Sequence, residues 1–208
     1  AQPGVEVVGL ARRPEVASRA LELGAVDCTE GSLVSTVKDA DLVLIATPAM
    51  AMKGILAEIG GSLREGSIVT DTASTKVKVM GWAEESLPVS FIGGHPMAGK
   101  ETSGIEAADG DLFQGCTYCL VAGRGATKEA SDTVAWLVRQ VGAKPLFIDA
   151  SEHDNLVAGI SHLPILISVA LVAATTKSPL WPAMARLAAS GFQDISRLAS
   201  GDPRMSRD

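Results

Sequence analysis

Apolar runs of strand length alternate with helical patterns over the first 150 residues of the chain. The runs predict strands at residues 5–10, 41–46, 67–70, 89–92, 116–122 and 144–148. The intervening segments predict helices at residues 13–23, 50–59, 76–86 and 128–141. Because strands that alternate with helices pair in parallel through right-handed crossovers, residues 1–149 are expected to form a doubly wound α/β domain with a parallel sheet.

The pattern becomes helical from residue 151 onward. Residues 151–154 read Ser-Glu-His-Asp, a capping-box sequence, and a long apolar helix is expected at 156–174. Pro164 removes one backbone donor, so a bend is expected just after His162. The apolar stretch also contains Ser, His, Pro and Gly, which favours a buried helix over a membrane span. With a further helix at 182–189, residues 150–208 are predicted to begin a second, α-helical domain.

The composition is that of an ordinary soluble globular protein, with 208 residues, 47% hydrophobic and 20% charged. A net charge of −6 without a basic stripe argues against nucleic acid as a partner. Three cysteines make a disulfide framework improbable and fit a reducing cytoplasm. Cys116 and Cys119 have CxxC spacing but lie in a predicted strand with no second pair, so structural cysteines and no metal site are expected.

Polar and glycine-rich segments follow several of the predicted strands. They are Thr47-Pro48, residues 71–76 and residues 93–100. Ligands of doubly wound folds bind outside the carboxyl ends of the strands, so these segments are expected to line one cleft.

His95 is the residue in this group best suited to proton transfer, since an unperturbed imidazole has a pKa of about 6.5. The glycines around it, Gly93, Gly94 and Gly99, allow sharp turns, and Pro96 biases His95 away from helical backbone. We therefore expect the imidazole on a loop at a strand end. A solvent-exposed loop histidine without a role is the alternative.

The chain lacks the G-x-G-x-x-G sequence expected between the first strand and first helix of a dinucleotide-binding domain. Gly123-Arg-Gly125 imitates it after a strand, but Lys128 stands where the third glycine belongs. Nor does the sequence begin with Met or with a signal peptide pattern. The numbering is therefore expected to start inside a longer protein.

Three separated stretches together resemble the prephenate/arogenate dehydrogenase family of tyrosine biosynthesis. They are DTASTK at 71–76, GGHPMAGKETSG at 93–104, and His153-Asp154 followed by ISHLP at 160–164. The resemblance implies a Rossmann-type domain whose first strand, glycine loop and first helix lie upstream of Ala1. It also implies the start of a helical domain that would continue into further, dimer-forming helices.

The activity that the resemblance implies is an NAD(P)-dependent oxidative decarboxylation of prephenate or arogenate by a cytoplasmic homodimer. His95 matches the catalytic histidine of the family, and Ser74 matches a serine that shares the substrate hydroxyl. For Ser74, capping of the helix at 76–86 together with Thr75 is the alternative. Two alternative functions stay open. One is a different hydroxy-acid dehydrogenase with the same domains, and the other is a non-catalytic domain that kept the fold.

Substrate recognition would involve two further residues in the helical part. Arg197 matches the family's carboxylate-binding arginine, with an exposed helix arginine as the alternative. His162 matches the first histidine of the family's SHLPH pattern, and Ile165 replaces the second. This replacement leaves the choice between prephenate and arogenate open.

The cofactor corner also departs from a common family pattern. Family members that prefer NAD carry an acid at the end of the second strand, whereas this chain has Ala11-Arg12-Arg13 there. Two guanidinium groups without a carboxylate suit a 2′-phosphate, so NADP is expected over NAD. A surface arginine pair at a helix start is the alternative. The remaining predicted cofactor contacts are Thr47, Pro48, Ser74 and Lys76.

Overall fold

The computed structural model describes residues 4–100, 102 and 104–200. The family-like sequence at 93–104 therefore lies partly outside the described residues, which omit 101 and 103. So do Ala1, where the chain starts, and residues 201–208 of the helical part. The chain divides into two compact units, the first ending at Ala150 and the second starting at Ser151.

The first unit contains a five-stranded sheet and a separate two-stranded parallel ladder. The sheet has the order β3 (Leu42–Ile45), β4 (Ile68–Asp71), β5 (Ser90–Pro96), β6 (Thr117–Ala122) and β7 (Lys144–Phe147). The ladder joins β1 (Val8–Gly9) to β2 (Cys28–Thr29). The predicted strand at 5–10 is shortened to two residues, and the short β2 has no apolar run from which it could be predicted.

Helices connect these strands as the sequence pattern predicts. They are α1 (Pro14–Glu22), α2 (Leu33–Val37), α3 (Ala49–Ile59), α4 (Val77–Ser86) and α5 (Lys128–Gln140). Pro14 starts α1 in the first turn, where its missing N–H group costs no helical hydrogen bond. Thr127 caps α5 by accepting a hydrogen bond from the Ala130 N–H at 3.1 Å. The predicted α/β fold is confirmed.

Apolar side chains from the sheet pack against helices on both of its faces. On one face, β4 and β5 pack against α3 and α4 through a cluster that includes Val69, Phe91, Met52, Leu56 and Val79. On the other, Ile92 and Leu120 pack against Val134 and Val138 of α5. Phe91 and Ile92 belong to different clusters because neighbouring residues of a strand point to opposite faces. Helices on both faces are what a doubly wound sheet requires.

One strand pair differs from the predicted parallel arrangement. β3, β4 and β5 are parallel to one another, as are β6 and β7, but β5 and β6 are antiparallel. The reason lies in their connection, which in its described residues contains a short 3-10 turn at Ile105–Ala107 in place of a crossover helix. The sheet is therefore mixed.

Pairing with β6 also extends β5 beyond the predicted end at residue 92. His95 lies opposite Cys119, and Pro96 lies opposite Tyr118. The expectation that His95 sits on a loop is thus wrong, because the antiparallel partner continues the strand through Pro96. A strand position fixes the backbone of His95 more firmly than a turn would.

The second unit is helical, with α6 (Ala150–Val157), α7 (Leu163–Thr176), α8 (Trp181–Leu187) and α9 (Ser190–Ser196). α6 begins at Ala150, so Ser151 lies inside the helix and the predicted capping box does not form. A π-helical segment, Ala158–His162, separates α6 from α7. It ends two residues before Pro164, whose missing N–H group prevents a regular ladder at this point. The interruption predicted near His162 is confirmed.

The long apolar helix is exposed, contrary to the expectation of a buried helix. The continuous stretch Ala150–Thr176 is 27 residues long with a mean hydropathy of 2.2 in its most apolar window, and 11% of that window is buried. By length and composition alone it could cross a membrane. Ser168 is a buried exception, and its Oγ donates a hydrogen bond to the Ile195 carbonyl at 2.7 Å. The remaining apolar surface needs a partner that the composition alone does not identify.

Candidate active site

The predicted functional segments of the first unit meet at the carboxyl edge of the parallel strands. Thr47 and Pro48 follow β3, and the turn at residues 72–76 follows β4. Ile45 lies opposite Asp71 in the ladder, and the Thr72 N–H donates to the Ile45 carbonyl at 3.2 Å. His95 lies near the carboxyl end of the next strand, β5. Parallel pairing therefore gathers these segments along one edge, as expected.

A buried ion pair occupies the centre of this edge. The Lys76 Nζ atom donates to Asp71 Oδ2 at 2.6 Å and to the Gly94 carbonyl oxygen at 2.6 Å. Both side chains of the pair are 0% exposed. Asp71 Oδ2 also accepts from the Ala73 N–H at 2.8 Å, which closes the start of the turn. The pair thus connects the turn after β4 to the backbone of β5.

Gly94 is held at both of its peptide groups. Its N–H donates to Asp71 Oδ1 at 2.9 Å, and its carbonyl accepts from Lys76. The backbone ladder between β4 and β5 ends earlier, at the pair Thr70 and Ile92. Past that point the two charged side chains supply the donor and the acceptor that a neighbouring strand would otherwise supply. The peptide groups on both sides of Gly94, the residue before His95, are therefore bonded to the ion pair.

Close packing at this edge explains the two adjacent glycines. A Cβ atom on Gly94 would lie 2.3 Å from the Asp71 carbonyl oxygen, which is fixed backbone. One on Gly93 would lie 2.7 Å from Met80 Sδ and 3.2 Å from Lys76 Cδ. Both distances of closest approach are shorter than van der Waals contact allows. Close packing therefore requires both glycines, against the Asp71 backbone for Gly94 and against Met80 and the Lys76 stem for Gly93.

The electrostatics of the edge are those of charges removed from water. Burial raises the pKa of the Asp71 carboxyl, while Lys76 and the N–H groups of Gly94 and Ala73 oppose that shift. Burial likewise raises the pKa of Tyr118, and the charge of Asp71 adds to the effect. The Tyr118 hydroxyl donates to the Asp71 carbonyl at 3.4 Å, so Tyr118 stays protonated beside the pair. Removing either member of the pair would leave the other charge buried without its partner.

His95 is half-buried on β5 and faces the same side of the sheet as Cys119 of β6. Burial raises the pKa of the Cys119 thiol, and Lys76 opposes that shift. Lys76 is thus close enough to influence a side chain directly across the strand from His95. His95 and Cys119 therefore lie side by side on the face of the sheet where the Lys76 charge acts.

Two predictions about the turn at 71–76 are corrected by these positions. Lys76 was predicted to contact the cofactor, but its ammonium is fully buried and bonded to Asp71 and Gly94, which leaves no surface for a phosphate. Ser74 was offered as a helix cap, but α4 begins at Val77 and its N-cap position is Lys76. Ser74 is exposed at the edge of the sheet and stays a predicted site residue.

The predicted cofactor residues lie at two neighbouring points of the first unit. Arg12 and Arg13 are exposed between β1 and α1, and Arg13 Nε lies 3.7 Å from Glu15 Oε1. Thr47 precedes Pro48, the N-cap residue of α3. Within the part of the chain that the structure describes, the Thr47 hydroxyl is buried and has no hydrogen-bond partner. A buried hydroxyl without a partner is a group that a ligand could satisfy.

The predicted residues of the second unit lie on consecutive parts of its helices. His162 ends the π-helical segment and is half-buried, and Arg197 begins a 3-10 turn after α9 and is exposed. His153 is buried in α6, and its Nδ1 lies 2.8 Å from Asp154 Oδ1. Among residues 4–100, 102 and 104–200, no group of three His, Cys, Asp or Glu side chains is arranged to hold a metal ion. The absence of a metal stays a prediction.

A cavity of about 900 Å³ in the first unit lies away from these groups. Its lining includes Ser67, Ser90 and Gly123, which flank the opposite, amino end of β4 and β5. By volume alone this cavity would be the candidate binding site, but none of the predicted site residues lines it. Chemistry therefore favours the carboxyl edge, where the proton acceptor and the buried charges are.

Sequence reasoning missed the roles of Asp71 and Tyr118. A signal for Asp71 was present, because a lysine stands five residues after an acid that directly follows an apolar strand, and such charged residues become buried only when they are paired. No comparable signal existed for Tyr118. Its contact with Asp71 depends on the antiparallel placement of β6, which the pattern of elements did not predict.

Comparison with known proteins gives a consistent result over both units. Residues 1–146 match the family described as prephenate dehydrogenase, nucleotide-binding domain, and residues 149–208 match prephenate dehydrogenase, dimerization domain. The prephenate dehydrogenase of Bacillus subtilis is 39% identical over 210 residues, which cover 99% of this chain. The chain spans 57% of the length of that relative.

Two solved structures share the fold over nearly the whole chain. The prephenate dehydrogenase of A. aeolicus in complex with hydroxyphenyl propionate and NAD+ has a TM-score of 0.91 and 29% identity, covering 100% of this chain and 73% of the other. The arogenate dehydrogenase of Synechocystis has a TM-score of 0.83 and 30% identity, covering 98% of this chain and 74% of the other.

Proposed function

The chain belongs to the prephenate dehydrogenase family, and from that premise we propose that the protein oxidatively decarboxylates prephenate or arogenate with a pyridine nucleotide. The observation that carries the proposal is the position of His95. It lies half-buried at the carboxyl edge of the sheet and follows Gly94, a residue whose N–H and carbonyl are both bonded to buried charges. A base held in this way is what the reaction needs.

The proposed chemistry converts a cyclohexadienol ring to an aromatic ring. His95 accepts the proton of the ring hydroxyl, a hydride leaves the carbinol carbon, and the ring carboxylate departs as carbon dioxide. A bound pyridine nucleotide supplies the hydride acceptor. Ser74, exposed at the same edge, is proposed to hold the hydroxyl for His95. Formation of the aromatic ring supplies the driving force.

The residues at the edge fit a pyridine nucleotide. The buried Thr47 hydroxyl, which is without a partner among the described residues, offers a polar contact beside Pro48. Arg12 and Arg13 are exposed where β1 meets α1, with no acid at position 11 to bond a ribose 2′-hydroxyl. We propose NADP over NAD on this ground. The NAD+ complex belongs to the A. aeolicus relative.

Substrate recognition is proposed for two residues of the second unit. Arg197 would bind a substrate carboxylate through its planar guanidinium, and His162 would contact the substrate beside it. Both lie in one helical unit, in which the Ser168 hydroxyl of α7 bonds the Ile195 carbonyl just ahead of Arg197. Ile165 places an apolar side chain where the family pattern has a second histidine. The substrate is therefore proposed at the level of prephenate or arogenate.

We propose a homodimer as the state that covers the exposed apolar helix. Leu163 and Ile167 of α7 are four residues apart and so share one side of the helix, and Leu166 lies next to them. All three are more than half exposed. The matching family description of this segment is a dimerization domain, which supports a second copy over a lipid bilayer as the partner. A cytoplasmic location is also proposed, because the three cysteines are free thiols, as a reducing compartment keeps them.

Replacement of the proposed base tests the reaction directly. In the protein with both ends restored, we expect His95→Asn to lower kcat by roughly two orders of magnitude or more, the usual scale for a lost general base. Steady-state rates with prephenate and with arogenate measure it. Cofactor Kd should change by less than about twofold, because the imidazole acts on the substrate. Unchanged turnover in the variant would remove His95 from the mechanism.

Cofactor preference is tested by placing an acid at the end of β1. Ala11→Asp should lower the ratio of kcat/KM with NADP to kcat/KM with NAD by roughly tenfold or more, because a carboxylate repels the 2′-phosphate and bonds a 2′-hydroxyl. Ala57→Asp adds the same charge at an exposed position near the carboxyl end of α3 and is the matched control. A ratio that does not move in Ala11→Asp would show that the arginines lie on a surface without a cofactor role.

The dimer is tested by charging the exposed side of α7. Leu166→Glu combined with Ile167→Glu should convert the full-length protein from dimer to monomer in sedimentation velocity, because buried unpaired carboxylates oppose association. Trp136→Glu charges an exposed apolar residue of α5 and should leave the dimer intact. Binding of the unchanged protein to anionic vesicles, with a monomer in solution, would contradict the proposal.

A further inference from the structure

We infer that Asp71 and Lys76 are positioning residues for His95, because together they continue the sheet past the point where the β4–β5 ladder ends. This inference rests on the proposed role of His95 as the base. It gives a function to two side chains that do not reach the surface of the cleft. Their effect on the reaction passes through one residue, Gly94, whose N–H and carbonyl they bond.

The first step of the argument concerns what holds His95 on each side of its strand. On the β6 side, the antiparallel ladder continues through Gly94, His95 and Pro96. On the β4 side, the ladder stops at Ile92, two residues before Gly94. The Asp71 carboxylate and the Lys76 ammonium take over on that side, bonding the N–H and the carbonyl of Gly94. Without these two side chains, the end of β5 would keep its pairing with β6 but lose these hydrogen bonds on the β4 side.

The second step concerns the strength of these bonds. Charge-assisted hydrogen bonds are shorter and stronger than neutral ones, and the two bonds of Lys76 Nζ are both 2.6 Å. Buried charges without solvent hold their geometry more tightly than surface pairs, whose side chains exchange with water. An ion pair at 0% exposure is therefore suited to fixing a backbone position, although it adds little to net stability compared with apolar packing.

The third step places Lys76 beside the imidazole. Gly93 and His95 are two residues apart on β5 and so face the same side of the sheet. The Lys76 stem passes over Gly93, where an added Cβ would lie 3.2 Å from Lys76 Cδ. The Lys76 charge also opposes the rise in the pKa of the Cys119 thiol, and Cys119 lies opposite His95. Lys76 thus supports the face of the sheet that carries the base, as well as the backbone before it.

The consequence for catalysis is geometric. A proton acceptor must lie within hydrogen-bond reach of the substrate hydroxyl, and a displacement of about 1 Å costs on the order of a hundredfold in rate. Loss of the pair frees the Gly94 peptide to turn and allows His95 to shift with it. The expected defect is in kcat with substrate rather than in cofactor binding.

The test is a double-mutant cycle between Lys76 and His95 in the protein with both ends restored. We expect Lys76→Met to lower kcat by roughly tenfold or more in the unchanged background, and by less than about twofold in the His95→Asn background, because residues that act as one unit are not additive. Cofactor Kd should stay within about twofold in both. Lys128→Met breaks an exposed Lys–Asp pair on α5 and is the matched control, with no change in kcat.

The possible results separate the inference from the function on which it rests. An equal loss of kcat on Lys76→Met in both backgrounds would overturn the positioning role while leaving His95 as the base. The same conclusion would follow if Lys76→Met folds with a lowered thermal midpoint but an unchanged kcat. Unchanged turnover of His95→Asn alone would overturn the proposed function instead. If Lys76→Met does not fold, the combined Asp71→Asn and Lys76→Met variant, which also lacks the Lys76 bond to the Gly94 carbonyl but leaves no buried charge unpaired, enters the same cycle with the same expected result.

Discussion

The buried pair of Asp71 and Lys76 is the constraint on which the carboxyl edge of the sheet depends. Strands β4 and β5 diverge where β4 turns toward α4, and divergence leaves backbone groups without partners. A carboxylate and an ammonium fill that gap because together they present an acceptor to the N–H and a donor to the carbonyl of one residue, Gly94. The adjacent glycines follow from this arrangement, since a side chain on Gly94 would collide with the Asp71 backbone.

The mixed sheet adds a second constraint from the other side. An antiparallel β6 continues to pair with β5 as far as Pro96, so His95 sits within a ladder rather than after one. Tyr118 of that strand also reaches the Asp71 carbonyl. His95, the proposed base, is therefore held between an ordinary backbone ladder and a pair of charges. A loop histidine would have to be ordered on substrate binding, at an entropic cost that this arrangement avoids.

The sequence predicted those features that depend on local periodicity. The alternation of apolar runs and helices indicated the α/β fold, and Pro164 indicated the interruption before α7. It did not predict the direction of β6, because direction depends on the connection rather than on the strand itself. The burial of Lys76 was missed for a similar reason. A lysine after a polar turn is usually solvated, and its partner groups on Gly94 come from a strand 18 residues away. The exposure of α7 was missed because an apolar helix looks the same whether a core or a second chain covers it.

The most direct measurement is a double-mutant cycle on the free energy of unfolding with Asp71→Asn, Lys76→Met and the combined variant. The account predicts that each single change costs about 3 kcal/mol or more, since it leaves one charge buried alone. It also predicts that the combined variant loses less unfolding free energy than the two single variants lose together, by at least about 1 kcal/mol. Strict additivity of the two changes would contradict the claim that this pair acts as a unit at the end of the strand that carries His95.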